Sequence, residues 1–238
     1  MIRLGVLLTY DLSNARRLES IRPSMDRLKL KQLTWLAAPL GIVMMIISLN
    51  TNIPRYFIVH YIGEEQLGYF SAITYLKIAG DMIIRALGQS ASPRLAKYYA
   101  AGNCHAFKNL LLKLLVIGGA LGIAGIIIAT LVGQQILVLL YRPDYAKYAN
   151  MLVWIMIAAG VSYIASFLGY GMTAARAFKV QPVIFSIVTG ATTLCCWLWV
   201  PTYGLLGAAR AIIVSAAIQV TASAVVNVHA IYKLKLNS

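Results

Sequence analysis

Lys77, Asp81 and Arg85 recur at i, i+4 and i+8 within a mostly apolar stretch, a spacing that stacks three charged side chains along one helix face. Thr74, Gly88, Gln89 and Ser92 extend the stripe, while Ile73, Leu76, Ile83 and Leu87 fall largely off it. Two more cations interrupt apolar runs: Arg55 in NTNIPRYF, and Arg210 two turns past Gly204. One carboxylate cannot balance Lys77, Arg85 and Arg55 together. The positive excess suits an anionic ligand met in water, with Arg55, Lys77, Asp81, Arg85 and Arg210 as the candidate binding residues. Two plainer readings stand beside it. Asp81 and its neighbours can be a structural ion pair, and Arg55 and Arg210 can snorkel to the nearer interface. Asn50, Asn52 and Pro54 make the stretch before Arg55 polar and weaken its helical ladder.

Catalytic chemistry finds little to work with. There is no HExxH, no CxxC, no Gly-rich phosphate loop and no acidic pair spaced to hold magnesium on a diphosphate. Glu64 and Glu65 sit in a tight turn with no other acid close in sequence. Cys195 and Cys196 are adjacent in an apolar run and read, with Cys104, as small hydrophobes rather than a disulfide framework. His60 and His229 fall near the ends of apolar runs, at interfacial positions, and Gly118 and Gly122 make a GxxxG helix-packing spacing. The expectation is a chain that is not an enzyme and needs no metal or cofactor.

The elements that must carry the charged groups are membrane spans. Hydrophobic residues make up 60% of the 238 and charged residues only 12%, too few to clothe a water-facing surface of this size. A span needs about 20 mostly apolar residues. Six candidates follow: 33–62, 67–90, 110–140, 151–174, 180–200 and 205–231, the third expected to leave the hydrocarbon at Gly133-Gln134-Gln135. The longest internal loop is expected near 93–108. Residues 1–32 read as a basic cytoplasmic linker and 33–238 as a six-helix transmembrane domain. MIRLGVLLTY is too short to span and lacks the features of a signal peptide.

The net charge of +14 on a soluble chain would suggest nucleic acid. Here the basic residues cluster between apolar runs, so the bilayer itself is the partner they indicate. Of the loop and terminal Lys and Arg, fifteen fall on one side: seven before the first span, then Arg94, Lys97, Lys108, Lys113, Arg176, Lys179, Lys233 and Lys235. Only Arg142 and Lys147 fall on the other. The positive side is the cytoplasmic one, which places both termini inside and makes the span count even.

NIPRYFIVHYIGEEQLGYFSAITYL is similar to the arginine, glycine and tyrosine-serine signature of polysaccharide-biosynthesis flippases. SPRLAKYYAAGN, LVLLYRPDYAKYANML and VPTYGLLGAARA follow in the order and spacing of that family, so the resemblance runs from about Lys31 to Lys233. It implies an all-α polytopic transmembrane helix bundle, here one lobe of the two-lobed multidrug/oligosaccharidyl-lipid exporter fold, with Met1 to Tyr10 similar to the end of a first lobe's last helix. It further implies a flippase carrying an undecaprenyl-diphosphate-linked oligosaccharide across the cytoplasmic (inner) membrane, paired with a second lobe or another copy. Lys77 and Arg85 would meet the diphosphate on entry, Arg55 nearer the exit, with Asp81 moderating their affinity, and tyrosines such as Tyr56, Tyr69, Tyr75 and Tyr163 could stack on sugars or pack as belt and core. Two departures bear on this. Pro54 stands where an acid commonly precedes the arginine, and Arg210 where a small or apolar residue is usual. A cation-coupled drug antiporter of the same superfamily and a non-transporting half-length scaffold remain the alternatives.

The orientation is directly testable. Cysteines introduced as Glu65→Cys and Thr202→Cys should react with an impermeant thiol reagent applied to intact cells, and Lys97→Cys and Lys235→Cys should not. Labelling of Lys97→Cys in sealed cells would reverse the assignment.

Overall fold

The structure is a computed structural model and describes residues 27–178 and 180–236. It is all-α among these residues: α1 (Arg27–Tyr61), α2 (Glu64–Ala100), α3 (Cys104–Leu140), a short 3-10 turn (Pro143–Tyr148), α4 (Ala149–Ala174) and α5 (Gln181–Leu236). Most of the linker expected over 1–32 lies outside the described residues, as does Lys179. The chain divides into two compact units, 1–41 and 42–238. The bundle below belongs to the second.

Five helices are long and apolar enough to cross a membrane. The last is really two. A straight helix of 56 residues would reach about 84 Å, nearly three times the hydrocarbon thickness. Gly204 interrupts it with φ 59° and ψ −136°, a left-handed conformation that glycine adopts without steric cost. The arms then run back along each other. Ile184 and Val188 of the first pack with Ile218, Ala222 and Val226 of the second, and Gly207 lies against the Trp199 carbonyl, where a side chain would collide. The two arms match the expected fifth and sixth spans, so the five helices among the described residues are long and apolar enough for six crossings.

The loop expected near 93–108 is much shorter. α2 runs through Pro93 to Ala100 and α3 starts at Cys104. Proline deletes one N–H donor but leaves the ladder intact on either side, and near a helix end that loss is small. The turn is set instead by Gly102 at φ 69° and by Asn103, whose side chain accepts from the Ala106 N–H at 2.9 Å. α3 runs on through Gly133-Gln134-Gln135 to Leu140, the end expected of the third apolar run.

α4 is the centre of the bundle: 56% of its most apolar window is buried, against 28% or less in the other spans. Small residues let neighbours approach it. A Cβ on Gly122 of α3 would lie 2.5 Å from the Gly160 Cα, and Gly118 faces the Phe167 ring. This is the close backbone contact that GxxxG permits where no hydrophobic force pulls helices together. Buried Asn227 of α5 donates to the Leu168 carbonyl of α4 at 2.9 Å and to the Ser223 carbonyl at 2.8 Å.

Gly122→Leu should therefore separate α3 from α4 and destabilise the protein by about 1–3 kcal/mol, the usual cost of overpacking. Gly119→Leu, where an added side chain meets open space, should not. Thermal unfolding in detergent compares the two, and equal midpoints would mean the Gly122–Gly160 contact contributes nothing.

Candidate anion-binding cavity

α2 is seated on α4 through Gly80, where a Cβ would strike the Tyr163 hydroxyl. That hydroxyl donates to the Lys77 carbonyl at 3.3 Å, so one tyrosine fixes the backbone of the charged stripe. Tyr163 is thus a packing residue, 5% exposed.

The stripe does not stay on one face. Residues four apart on an α-helix are offset by about 40°, so two steps turn the direction by about 80°. Lys77 points inward, its Nζ 3.2 Å from Asp81 Oδ2, and both side chains are half-buried. Arg85 is exposed and makes no ion pair among the described residues. It sits 21 residues along α2 from Glu64, about 32 Å, close to the full depth of the hydrocarbon.

Lys77 and Arg55 meet in one cavity of 160 Å³, bounded by α1, α2, α4 and both arms of α5. Its polar lining is Asn50, Thr51, Thr74, Ser162, Thr192, Ser215 and Gln219, and it includes no carboxylate. Apolar Phe70, Ile155, Ala158 and Ile212 close the remainder. Most of the hydroxyls donate to carbonyls of their own helices: Thr51 to Ile47 at 3.0 Å, Thr74 to Phe70 at 2.7 Å, Ser162 to Ala158 at 2.7 Å and Ser215 to Ile212 at 2.9 Å. The Thr192 hydroxyl donates across helices to the Asn50 side-chain oxygen at 2.6 Å, tying α5 to α1. With their protons spent this way, the hydroxyls offer the cavity only acceptor oxygens, and Arg55 and Lys77 are its strong donors.

Pro54 is buried and lines the same cavity without breaking α1, which runs unbroken to Tyr61. Lacking an N–H, it cannot donate to the Asn50 carbonyl one turn earlier. Among the described residues Arg55 donates a long 3.5 Å bond to the neutral Asn52 side chain and meets no carboxylate. Arg210 is elsewhere. Its guanidinium lies 5.2 Å from the Trp154 ring centroid and 4.8 Å from that of Tyr203, a cation held between two aromatic faces near the Gly204 turn.

Reading the sequence for full charges brought forward Arg55 and Lys77, took Asn50 only as a polar break before Arg55, and passed over Ser162, Thr192, Ser215 and Gln219. Their signal was a polar residue recurring in otherwise apolar runs, which is weak because Ser and Thr can satisfy themselves on their own helix. Among the described residues no group of His, Cys, Asp and Glu could hold a metal ion.

Residues 39–198 match the MatE family. The capsular polysaccharide biosynthesis protein CapF of Staphylococcus aureus is 31% identical over 189 residues, covering 79% of this chain and 47% of that protein. The chain thus spans about half the length of that curated relative. No solved structure matches.

If the cavity is wet and positive, a thiol placed in it will show both properties. In a chain with Cys104, Cys195 and Cys196 replaced by alanine, Gln219→Cys should react faster with an anionic thiosulfonate than with a cationic one. Adding Lys77→Gln should slow the anionic reagent by up to about fivefold, the effect of about 1 kcal/mol at water-like dielectric, and should not slow the cationic one. No reaction, or faster reaction with the cation, would show the cavity dry or not positive.

Proposed function

The chain belongs to the MatE family, and from that premise we propose that it is one lobe of a flippase for a lipid-linked oligosaccharide diphosphate, serving surface polysaccharide biosynthesis. The observation that carries this reading is the cavity between α1, α2, α4 and α5, where two cations face polar groups with no carboxylate in the lining. A diphosphate and its sugars cannot dissolve in hydrocarbon, and cations held at membrane depth are costly unless function needs them. Lys77 and Arg55 supply charged donors for the phosphates, and Asp81 offsets part of the Lys77 charge so that the anion is released again. Arg85, exposed toward the basic end of the bundle, is the first cation that the headgroup meets. Arg210, between Trp154 and Tyr203, is a further cation at the opposite end. The relative's name, a capsular polysaccharide biosynthesis protein, supports a surface glycan as the cargo.

In this reading residues 33–238 form the lobe and 1–32 a basic linker, with both termini in the cytoplasm and the protein in the cytoplasmic membrane. A volume of 160 Å³ falls below the roughly 300–1,000 Å³ of small-molecule sites, so one lobe supplies one wall of the path. A second lobe or a second copy supplies the other. The protein transports and does not catalyse.

The test is export in a flippase-deleted strain, with a partner lobe supplied, read as surface-glycan staining against membrane abundance. Lys77→Ala and Arg55→Ala should each cost about tenfold or more in export at wild-type abundance, the value of one charged hydrogen bond of about 1.5–3 kcal/mol. Asp81→Ala should lower abundance as well, because it strands Lys77, and Asp81→Ala with Lys77→Ala should recover abundance but not export. Normal export by both single cation variants at wild-type abundance would sink the assignment.

A further inference from the structure

The Gly63 end of the bundle carries a feature that the cationic cavity does not use. Tyr69 of α2 lies 4.9 Å from Tyr145 and 4.7 Å from Tyr148, ring centroid to centroid, and Tyr141 stacks on Tyr145 at 4.9 Å with an interplanar angle of 19°. The Lys147 ammonium sits 5.3 Å above the Tyr69 ring and 5.1 Å above that of Tyr148. The rings are anchored: the Tyr141 hydroxyl donates to the Ala72 carbonyl at 2.8 Å, that of Tyr148 to the Gln66 side chain at 2.9 Å, and that of Tyr69 to Glu65 at 3.3 Å. A cleft of 460 Å³ opens on this cluster, lined by Glu65, Gly68, Tyr69, Tyr141, Arg142, Asp144 and Tyr145.

An aromatic belt would set rings singly toward lipid headgroups. Here the four tyrosines are only partly exposed and pack on one another. Charge makes the stronger argument. Residues 42–238 contain four acids, Glu64, Glu65, Asp81 and Asp144, and two of them line this one cleft. Among the described residues, Glu65, Arg142 and Asp144 form no ion pair, and apart from the Tyr69 hydroxyl on Glu65 their side chains are left to line the cleft. Two carboxylates disfavour an anion, and Arg142 with Lys147 disfavours a cation. A ligand that stacks an apolar face on tyrosine while giving hydroxyl protons to carboxylates and taking donors from arginine is a neutral pyranose. Anchored rings lose little conformational freedom on binding, which favours such a platform.

We propose that the Tyr69–Tyr141–Tyr145 cleft binds neutral sugar residues of the glycan at the end of the path opposite the basic one. This rests on the flippase reading for the source of the glycan, but the binding itself does not. The full chain in lipid nanodiscs, free of sugar-based detergent, is probed by saturation-transfer NMR with methyl glucoside, methyl galactoside, methyl N-acetylglucosaminide and cellobiose. Saturation should pass to ring C–H protons of at least one of these and not to glucuronate. Glu65→Gln and Tyr145→Leu should weaken binding about tenfold, the value of one charged hydrogen bond or one stacked ring. Tyr145→Phe, which keeps the ring, should bind normally. Should Tyr145→Leu not accumulate, the exposed change Glu65→Gln still decides. Arg55→Ala and Lys77→Ala should bind saccharide as wild type does. No transfer to any of the four neutral saccharides, or undiminished transfer in Glu65→Gln and Tyr145→Leu, overturns the proposal. Saccharide binding together with normal export by Arg55→Ala and Lys77→Ala would leave the cleft standing and remove the flippase reading. Lost export without saccharide binding would do the reverse.

Discussion

A cation inside hydrocarbon must lie against an opposite charge, in water, or within reach of an interface, and the layout of this bundle follows from how each of its cations meets that demand. Lys77 has Asp81 at 3.2 Å and a polar cavity. Arg55 has the cavity and a neutral amide. Arg210 has two aromatic faces. Arg85 has distance, standing far enough along α2 to reach the opposite interface. The cavity exists because α1, α2, α4 and α5 bring Asn50, Thr74, Ser162, Thr192, Ser215 and Gln219 to one place, and those residues stay there because the small residues of α4 and its neighbours hold the helices close.

How much of this was legible in the sequence depended on how local each signal was. The six crossings were readable because about 20 apolar residues in a row have few other uses, and the break near Gly204 followed from the polar PTYG turn. The loop is confined to 101–103, not 93–108, because Pro93 is tolerated inside α2 while Gly102 in the left-handed region followed by a capping Asn103 sets the turn. The i, i+4, i+8 pattern found Lys77 and Asp81 correctly as a pair. It treated Arg85 as their equal only by ignoring the angular drift of the helix. What joins Arg55 to Lys77 could not be read at all. They are 22 positions apart on different helices, and only the seating of α2 on Tyr163, across a residue without a side chain, brings them to one cavity.

Tyr163 also shows how one residue type serves different ends. In the sequence Tyr56, Tyr69, Tyr75 and Tyr163 were equivalent candidates for stacking on sugars. In the structure Tyr163 is a buried spacer, Tyr56 and Tyr75 are exposed singly, and Tyr69 joins three tyrosines contributed by the segment after α3. That segment, YRPDYAKY, was readable as a loop but not as a platform. A 3-10 turn brings its residues round about every three positions, which is what sets Tyr145 and Tyr148 beside the same Tyr69 ring.

A transporter must bind its cargo well enough to take it from water and weakly enough to let it go, and several modest sites in series achieve this better than one deep one. On the proposed reading the lobe has that character. Arg85 lies eight residues, or about 12 Å, beyond Lys77 along α2, so a phosphate passing between them is never far from a cation. At the cavity the attraction is two cations reduced by one carboxylate, not two cations alone. Beyond it the tyrosine faces stand among charges of both signs, Glu65 and Asp144 with Arg142 and Lys147, a setting that suits the neutral part of the cargo better than its diphosphate. The order of these groups along the bundle would draw the charged head of a lipid-linked glycan in from the basic end and favour its sugars at the other, without a strong site at which the cargo would stall.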